Sequence, residues 1–535
     1  MPLVPPSVRD AAFDVFRRRG LTTLFANPGS TEIAFLGGLP EDLRFVLALH
    51  EGAVVGMATG FAIGRGQPAL AVLHTTAGLG NAVGALATAR VNRAPLVVLV
   101  GQQDRRHLAF EPFLAGRLAG LAGEYPVRVE QPALPQDVPD AIERSFHAAE
   151  VRRGPALVIV PMGDWEEPAA EDREPAAARE VVRAAAAAPE AVGSLAAFLA
   201  AAAAPALVVG AGADEPATRD ALVDLAGRLR SPVFQEPFGA RAGFPEDHLL
   251  FAGVLPAERR RLRAVLAPHD RVLVVGAAAF RQMSYEPGRL TEPGTRVAVL
   301  TDDPEEAYRS AAELVVLAPR PAACRELART VPERQTAAPP ERAPLPAPPP
   351  GEPLLAGHVL AALGARLPED AVVLEEAPAD RPELHERLPA RRPLGYLSAA
   401  MGGLGFALPA ATGLRMALPE RPVVAVVGDG SAVYGISALW SAAHYGVGAL
   451  FVILSNGGYA VMDILAERHG GAGPWPGFPE LSVATLASGF GCPSRRIAGE
   501  DELIAALDEA VPTLAAREAP LVLDVEIAPT RTFEY

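Results

Sequence analysis

Short, unbroken apolar runs alternate along this chain with longer stretches of helical period. In the first third the runs are Leu70–Leu73, Leu96–Val100 and Leu157–Val160. The middle carries Leu207–Val209, Val272–Val275 and Val297–Leu300. The last third carries Val372–Leu374, Val423–Val427, Leu450–Leu454 and Val522–Val525. A strand with one wet face alternates apolar and polar residues. Unbroken runs predict strands buried on both faces, as in parallel sheets covered by helices. The pattern therefore predicts an α/β chain of three consecutive doubly wound parallel-sheet domains. In such sheets ligands bind beyond the carboxyl ends of the strands.

Two shifts in composition mark the joints. Asp164–Glu190 is rich in Glu, Pro and Ala, and Val331–Pro353 contains the run Pro344-Leu345-Pro346-Ala347-Pro348-Pro349-Pro350. Proline at this density predicts an extended, exposed linker. The cuts give an N-terminal domain over 1–165, a central domain over 190–330, a Pro-rich linker over 331–353 and a C-terminal domain over 354–530. Each piece has an ordinary domain size.

Composition narrows the class. Half the residues are hydrophobic and 21% are charged, enough for a sizeable core. A net charge of −15 argues against nucleic acid as a partner. Cys324 and Cys492 are the only cysteines, which implies no disulfide framework and fits a reducing cytoplasm. The N-terminus lacks the basic-then-apolar pattern of a signal peptide. Ser194–Ala213 is uncharged for 20 residues. It is rich in alanine and broken by Pro205, so it reads as a helix, a turn and the strand Leu207–Val209 rather than a membrane span. Gly210-Ala211-Gly212 follows that strand, but the third glycine of a dinucleotide fingerprint is replaced by Glu215. A tight turn without bound flavin or nicotinamide is expected there.

The strongest chemical signal lies in the last third. Gly428-Asp429-Gly430-Ser431 follows the Val423–Val427 strand, and Leu454-Ser455-Asn456-Gly457-Gly458 follows the next strand; Asp429 and Asn456 are 456 − 429 = 27 positions apart. A helical stretch from Ile436 to about Tyr445 is expected between them. A carboxylate and an amide oxygen from neighbouring strand tips form a hard-oxygen site for Mg²⁺ or Ca²⁺. A metal with so few protein ligands takes the rest from a phosphorylated ligand. The alternative is an ordinary βαβ unit with Gly-rich turns.

Further motifs precede it: Asn27-Pro28-Gly29-Ser30, Leu49-His50-Glu51-Gly52-Ala53, His74-Thr75-Thr76-Ala77-Gly78-Leu79-Gly80-Asn81 and Gly402-Gly403-Leu404-Gly405-Phe406. Taken in order with the Asp429–Asn456 run, they span nearly the whole chain. They resemble the benzoylformate decarboxylase family of thiamine-diphosphate enzymes. That resemblance implies a pyrimidine-binding N-terminal domain, a central domain and a diphosphate-binding C-terminal domain. It implies non-oxidative decarboxylation of a 2-oxo acid to an aldehyde and CO₂, through a C2 carbanion and an enamine. Capture of the enamine by a second carbonyl would make a carboligase instead. A cofactor-binding protein without turnover is a third reading, disfavoured by Glu51, Asp429 and Asn456.

The resemblance also assigns roles. Glu51 would protonate the aminopyrimidine ring, where the alternative is a solvated helix residue. Ser30 and His74 would face the substrate; equally, Ser30 could cap a helix and His74 a strand end. Leu404 would wedge between the cofactor rings, or serve as a core leucine, or both. Asp429, Asn456 and the Gly458 carbonyl would hold the metal. Gly430 and Ser431 would donate to the diphosphate, and Gly402 and Tyr459 would join the cofactor contacts. The family's site lies between subunits, which implies a homodimer at least and a homotetramer as the expected assembly.

Three places depart from the family pattern. The family's second active-site histidine is replaced by Met283, which can pack but cannot relay a proton. Hydroxyl residues after a glutamate become Ala377-Pro378-Ala379 behind Glu376. Asp463, beyond the metal loop, puts a charge in the expected pocket wall and suggests a smaller or more polar substrate.

Overall fold

The computed structural model describes residues 5–170 and 174–531. Among these described residues, eighteen strands form three six-stranded sheets. The first holds β1 (Thr23–Asn27), β2 (Arg44–Leu47), β3 (Ala69–Leu73), β4 (Leu96–Gln102), β5 (Arg128–Glu130) and β6 (Pro155–Pro161). Its order is β2-β1-β3-β4-β6-β5. The second holds β7 (Pro205–Val209), β8 (Val233–Gln235), β9 (Phe251–Val254), β10 (Arg271–Val275), β11 (Arg296–Thr301) and β12 (Leu314–Leu317), in the order β12-β11-β10-β7-β8-β9. The third holds β13 (Val372–Glu376), β14 (Tyr396–Ser398), β15 (Val423–Gly428), β16 (Leu450–Ser455), β17 (Ser494–Ile497) and β18 (Leu521–Glu526), in the order β14-β13-β15-β16-β18-β17. All pairings within these sheets are parallel. The predicted fold class is therefore observed.

The first and third sheets share one strand order. In each, the chain leaves the first strand toward one edge and returns to the other side with the third. That reversal opens a crevice at the strand ends, between β1 and β3 in one sheet and between β13 and β15 in the other. The middle sheet reverses between β7 and β10. There the Gly212 and Gly276 backbones pack on each other, and a Cβ on Gly212 would come within 2.8 Å of Gly276. The chain's own glycines fill that crevice.

Two elements differ from expectation. The helix after the Gly428 turn begins at Asp429 itself and runs to Gly435. A second helix spans Ala438–His444, inside the expected Ile436–Tyr445 stretch, and Ile436-Ser437 separates it from the first. Gly428 in extended conformation serves as the N-cap, so Gly430 and Ser431 stand in the opening turn of this helix. The uncharged stretch forms the helix Pro189–Ala200 and β7. Among the described residues no helix is long and apolar enough to cross a membrane.

The first and third sheets are joined by a close helix pair, Glu51–Arg65 against Ala407–Ala417. Glycines at 52, 56, 60 and 64 recur every fourth residue along the first helix. Such spacing keeps one face nearly free of side chains. A Cβ on Gly60 would stand 2.0 Å from the Ala410 carbonyl oxygen, and one on Gly413 would stand 1.9 Å from that of Met57. The backbones touch, so nothing larger than hydrogen fits.

A polar tie reinforces the joint. Asn92 donates to the Ser398 carbonyl (2.8 Å) and accepts from the Ala400 N–H (2.9 Å). Ser398 N–H donates to the Ala240 carbonyl at 2.9 Å. Segments from all three sheets thus meet at 398–400, just before the Gly402–Gly405 loop.

Gly60→Ala is expected to lower the apparent melting temperature by several degrees, a loss of about 1–3 kcal/mol from overpacking. Gly227→Ala is the control. It lies in the helix Pro216–Leu229 with open space around its Cβ position, and should be neutral or slightly stabilising. Equal melting temperatures for the two variants would show that the helix pair tolerates separation.

Candidate active site

The crevice of the first sheet collects Ser30, Glu51 and His74. β1 ends at Asn27, and the chain turns through Pro28-Gly29 into a short 3-10 turn, Ser30–Glu32. Glu51 opens its helix and is 8% exposed. Both its oxygens are occupied: Asn27 Nδ2 donates to Oε1 and Asn81 Nδ2 to Oε2, each at 3.1 Å. It is not a solvated helix residue. Two amides from different elements fix the carboxyl plane.

His74 follows the last residue of β3. Its Nδ1 lies 3.0 Å from Glu32 Oε2 and 3.0 Å from the Thr31 hydroxyl. Glu32 is buried and also accepts from the Gly29 N–H at 2.8 Å. A carboxylate on Nδ1 selects the tautomer that leaves Nε2 as the working nitrogen. The imidazole lies against Gly29, where a Cβ would stand 2.4 Å from the ring. Thr75, the next residue, is buried with φ 33°, a strained conformation for a β-branched residue. Ser30 is exposed at the mouth of the turn, and the helical cap position falls to Gly29.

Glu32 was not singled out in the sequence. Its signal was an acidic residue two places after Ser30, in a turn that joins a buried strand to an apolar helix.

The crevice of the third sheet collects the remaining candidates. Asp429 is 3% exposed. Its Oδ1 accepts from the Gly430 N–H and its Oδ2 from the Gly457 N–H, both at 2.7 Å. Burial pushes its carboxyl above the usual range, and those backbone bonds only partly offset it. Among the described residues no basic side chain pairs with it. A buried carboxylate with no cationic side chain beside it suits a metal ion. Asn456 Oδ1 accepts from the Gly458 N–H at 3.0 Å, which orients the amide. Among the described residues no three His, Cys, Asp or Glu side chains cluster as a metal site. Asp429, Asn456 and a backbone carbonyl are then an incomplete set of hard oxygens, as expected for a cation that shares a phosphorylated ligand.

Leu404 is 36% exposed on a loop held from below. Gly405 adopts φ 90°, and a Cβ there would come within 3.0 Å of Tyr434 on the helix that starts at Asp429. Gly402 also has positive φ, at 75°. Beneath the loop, Glu376 accepts three backbone N–H groups: Gly405 at 2.5 Å, Phe406 at 2.8 Å and Ala407 at 2.5 Å. The Ala377-Pro378-Ala379 departure thus leaves the preceding glutamate engaged with the loop. Ser431 is buried in the first turn of its helix. Tyr459 packs its ring over Gly430 and edge-on to Phe478, with centroids 5.1 Å apart.

Two departures look different in three dimensions. Asp463 accepts from the Trp475 indole N–H at 2.8 Å, so its charge is engaged with the following loop. Met283 is 44% exposed beside Gln282, which accepts from Arg259 at 2.9 Å.

Comparison with known proteins matches these features in order. Residues 6–120 match the thiamine pyrophosphate enzyme N-terminal TPP binding domain, 192–327 the central domain and 383–525 the C-terminal TPP binding domain. A benzoylformate decarboxylase of Pseudomonas aeruginosa is 39% identical over 535 residues, covering 99% of both chains. The structure of a thiamine diphosphate-dependent 4-hydroxybenzoylformate decarboxylase from Rhodococcus jostii RHA1 is similar at TM-score 0.94 and 36% identity, covering 98% of this chain and 100% of that one. A benzoylformate decarboxylase structure from Polynucleobacter necessarius gives TM-score 0.93 at 30% identity, over 98% of this chain and 99% of that one. Three domain matches in sequence order, and likeness along the full chain, show that this protein belongs to the thiamine pyrophosphate enzymes.

Proposed function

We propose that this chain decarboxylates an aryl 2-oxo acid of the benzoylformate class to an aldehyde and CO₂, with thiamine diphosphate and Mg²⁺ or Ca²⁺. The observation that carries the reading is the pairing of two like crevices. One presents a carboxyl fixed by two amides beside a carboxylate-oriented imidazole; the other presents a buried carboxylate with no basic partner among the described residues. The relatives named above are decarboxylases, so carboligation is the less favoured outcome.

When bound, thiamine diphosphate supplies the electron sink into which the bond to the departing carboxylate collapses. The rest falls to side chains. Glu51 holds a proton at the pyrimidine ring, kept in place by Asn27 and Asn81. Asp429, Asn456 and the Gly458 carbonyl hold the cation, Gly430 and Ser431 meet the diphosphate, and Gly402, Leu404 and Tyr459 shape the surface for the rings. The Ser30 hydroxyl binds the substrate at the crevice mouth. His74 moves protons at Nε2, while Glu32 fixes Nδ1. The hydrogen bond between Asp463 and Trp475 removes the objection to an aromatic substrate that an unpaired charge would raise.

We assign the pyrimidine side to 1–165, the middle domain to 190–330, the linker to 331–353 and the diphosphate side to 354–530. Met401, Leu404, Val433, Tyr434 and Tyr459 are 36% to 62% exposed in the single chain. A second copy of the chain would cover this apolar surface, so a homodimer is the working unit, within a homotetramer. Cys324 and Cys492 are both free and buried, in keeping with a cytoplasmic protein.

Purified protein with thiamine diphosphate, Mg²⁺ and benzoylformate should release CO₂ and free benzaldehyde, with or without added acetaldehyde. Hydroxy ketone as the sole product, formed only with acceptor, would overturn the decarboxylase reading. Glu51→Gln should lower turnover by about 10²–10⁴-fold while the folded state persists. Turnover within twofold of the parent would remove Glu51 from the mechanism. Gly29→Ala should displace the His74 ring and cut kcat by about tenfold or more, with little change in cofactor affinity; an unchanged kcat would show that His74 acts elsewhere.

A further inference from the structure

Glu376 has no place in the chemistry above, yet it lies at the tip of β13, beside the crevice of the third sheet. It is 3% exposed, and among the described residues no basic side chain faces it. Glu375, its neighbour, points to the opposite face of the strand. It meets Arg381 Nε at 2.6 Å, the Tyr396 hydroxyl at 3.1 Å and the Ala377 N–H at 2.8 Å. Glu376 instead gathers the three successive N–H groups of residues 405–407. These open the Ala407–Ala417 helix, the one packed against the helix of Glu51. The same loop rests on Tyr434, and Tyr434 stands on the helix that begins at Asp429.

We propose that Glu376 is a positioning residue for cofactor binding: its buried carboxylate fixes the 405–407 backbone and thereby sets the height of Leu404 above the Asp429 helix. The proposal rests on the roles given above to Leu404 and Asp429. Three charge-assisted hydrogen bonds to one carboxylate give the clamp its strength. All three need acceptor oxygens. Protonation turns one oxygen into a donor and breaks the set.

Burial pushes this carboxyl up to about 7, with the three N–H bonds opposing and Glu375 adding to the rise. Above about 7 the group is ionised and the clamp complete; as pH falls through that value the carboxyl takes a proton and the clamp loosens. The other titratable groups nearby are Glu375, Arg381 and Tyr396 behind the strand, and Asp429 and Tyr434 on the helix beneath the loop.

The test is amide hydrogen exchange of the full-length protein, read by mass spectrometry on peptides covering 400–410. Calorimetric titration with thiamine diphosphate and Mg²⁺ accompanies it. In the parent, protection of these amides, corrected for intrinsic rates, should fall about tenfold between pH 8 and pH 6. Glu376→Gln should lower protection at pH 8 to the parent's pH 6 level, abolish its pH dependence and raise the cofactor Kd about tenfold. The parent's pH series needs no variant, so it stands even if Glu376→Gln fails to fold. Protection that is flat in pH in the parent overturns the proposal, as does a folded Glu376→Gln with unchanged protection. Asp429→Asn separates the two readings. If it leaves cofactor affinity unchanged, the assignment of the site fails; if it weakens affinity while Glu376→Gln does not, only the clamp fails.

Discussion

The contact on which the other features depend is the glycine-lined meeting of two helices. Glu51–Arg65 belongs to the first sheet and Ala407–Ala417 to the third. Gly60 and Gly413 let each backbone reach the other at distances a single methyl would forbid. Each helix begins at functional ground: Glu51 is the first residue of one, and the loop of Leu404 leads into the other. Close backbone packing resists sliding better than long side chains do, because interlocked main chains have no rotamers to rearrange. Within one chain, the relation between the two crevices is therefore set by steric exclusion, reinforced by the hydrogen bonds of Asn92 to Ser398 and Ala400.

Duplication of strand order explains why the candidate residues fall where they do. Both outer sheets reverse direction between their first and third strands, and both place the candidate residues at that reversal. The middle sheet has the same kind of reversal but closes it with Gly212 and Gly276. A crevice alone does not make a site. What distinguishes the outer two is that polar side chains enter them already bonded on their far side: Glu51 by two amides, His74 by Glu32, Asn456 by the Gly458 N–H. Each side chain keeps one orientation and pays little conformational entropy when a ligand arrives.

Much of this was legible in the sequence, and the limits have physical causes. Central strands such as β4, β15 and β16 are buried on both faces, so their apolar runs stood out. Edge strands such as β5 (Arg-Val-Glu) and β17 (Ser-Arg-Arg-Ile) are short and half wet, and carry no such run. Asp429 and Asn456 were visible because glycines flank them at strand tips. Glu32 and Glu376 were not read as functional, because their roles depend on partners 42 and 29–31 positions away. The interlocking glycines were hidden too. A four-residue spacing of glycine is visible in a sequence, but the backbone it must admit is not.

The replacement at Met283 narrows how protons can move. A thioether neither donates nor accepts a transferable proton, and the 280–288 segment contains no histidine. Asp429 is committed to backbone N–H groups and, in the proposed function, to a cation, and Glu51 is committed to two amides. In the proposed mechanism, His74 is then the candidate imidazole left to carry a proton to or from substrate. Its environment suits that duty: Glu32 holds one ring nitrogen, Gly29 gives the ring a flat seat, and the strained Thr75 backbone fixes the point from which the side chain leaves. One imidazole locked in orientation can serve successive proton transfers if they occur on the same side of the substrate. In the proposed mechanism, the close fit of Gly29 against His74 keeps the one candidate imidazole from turning away.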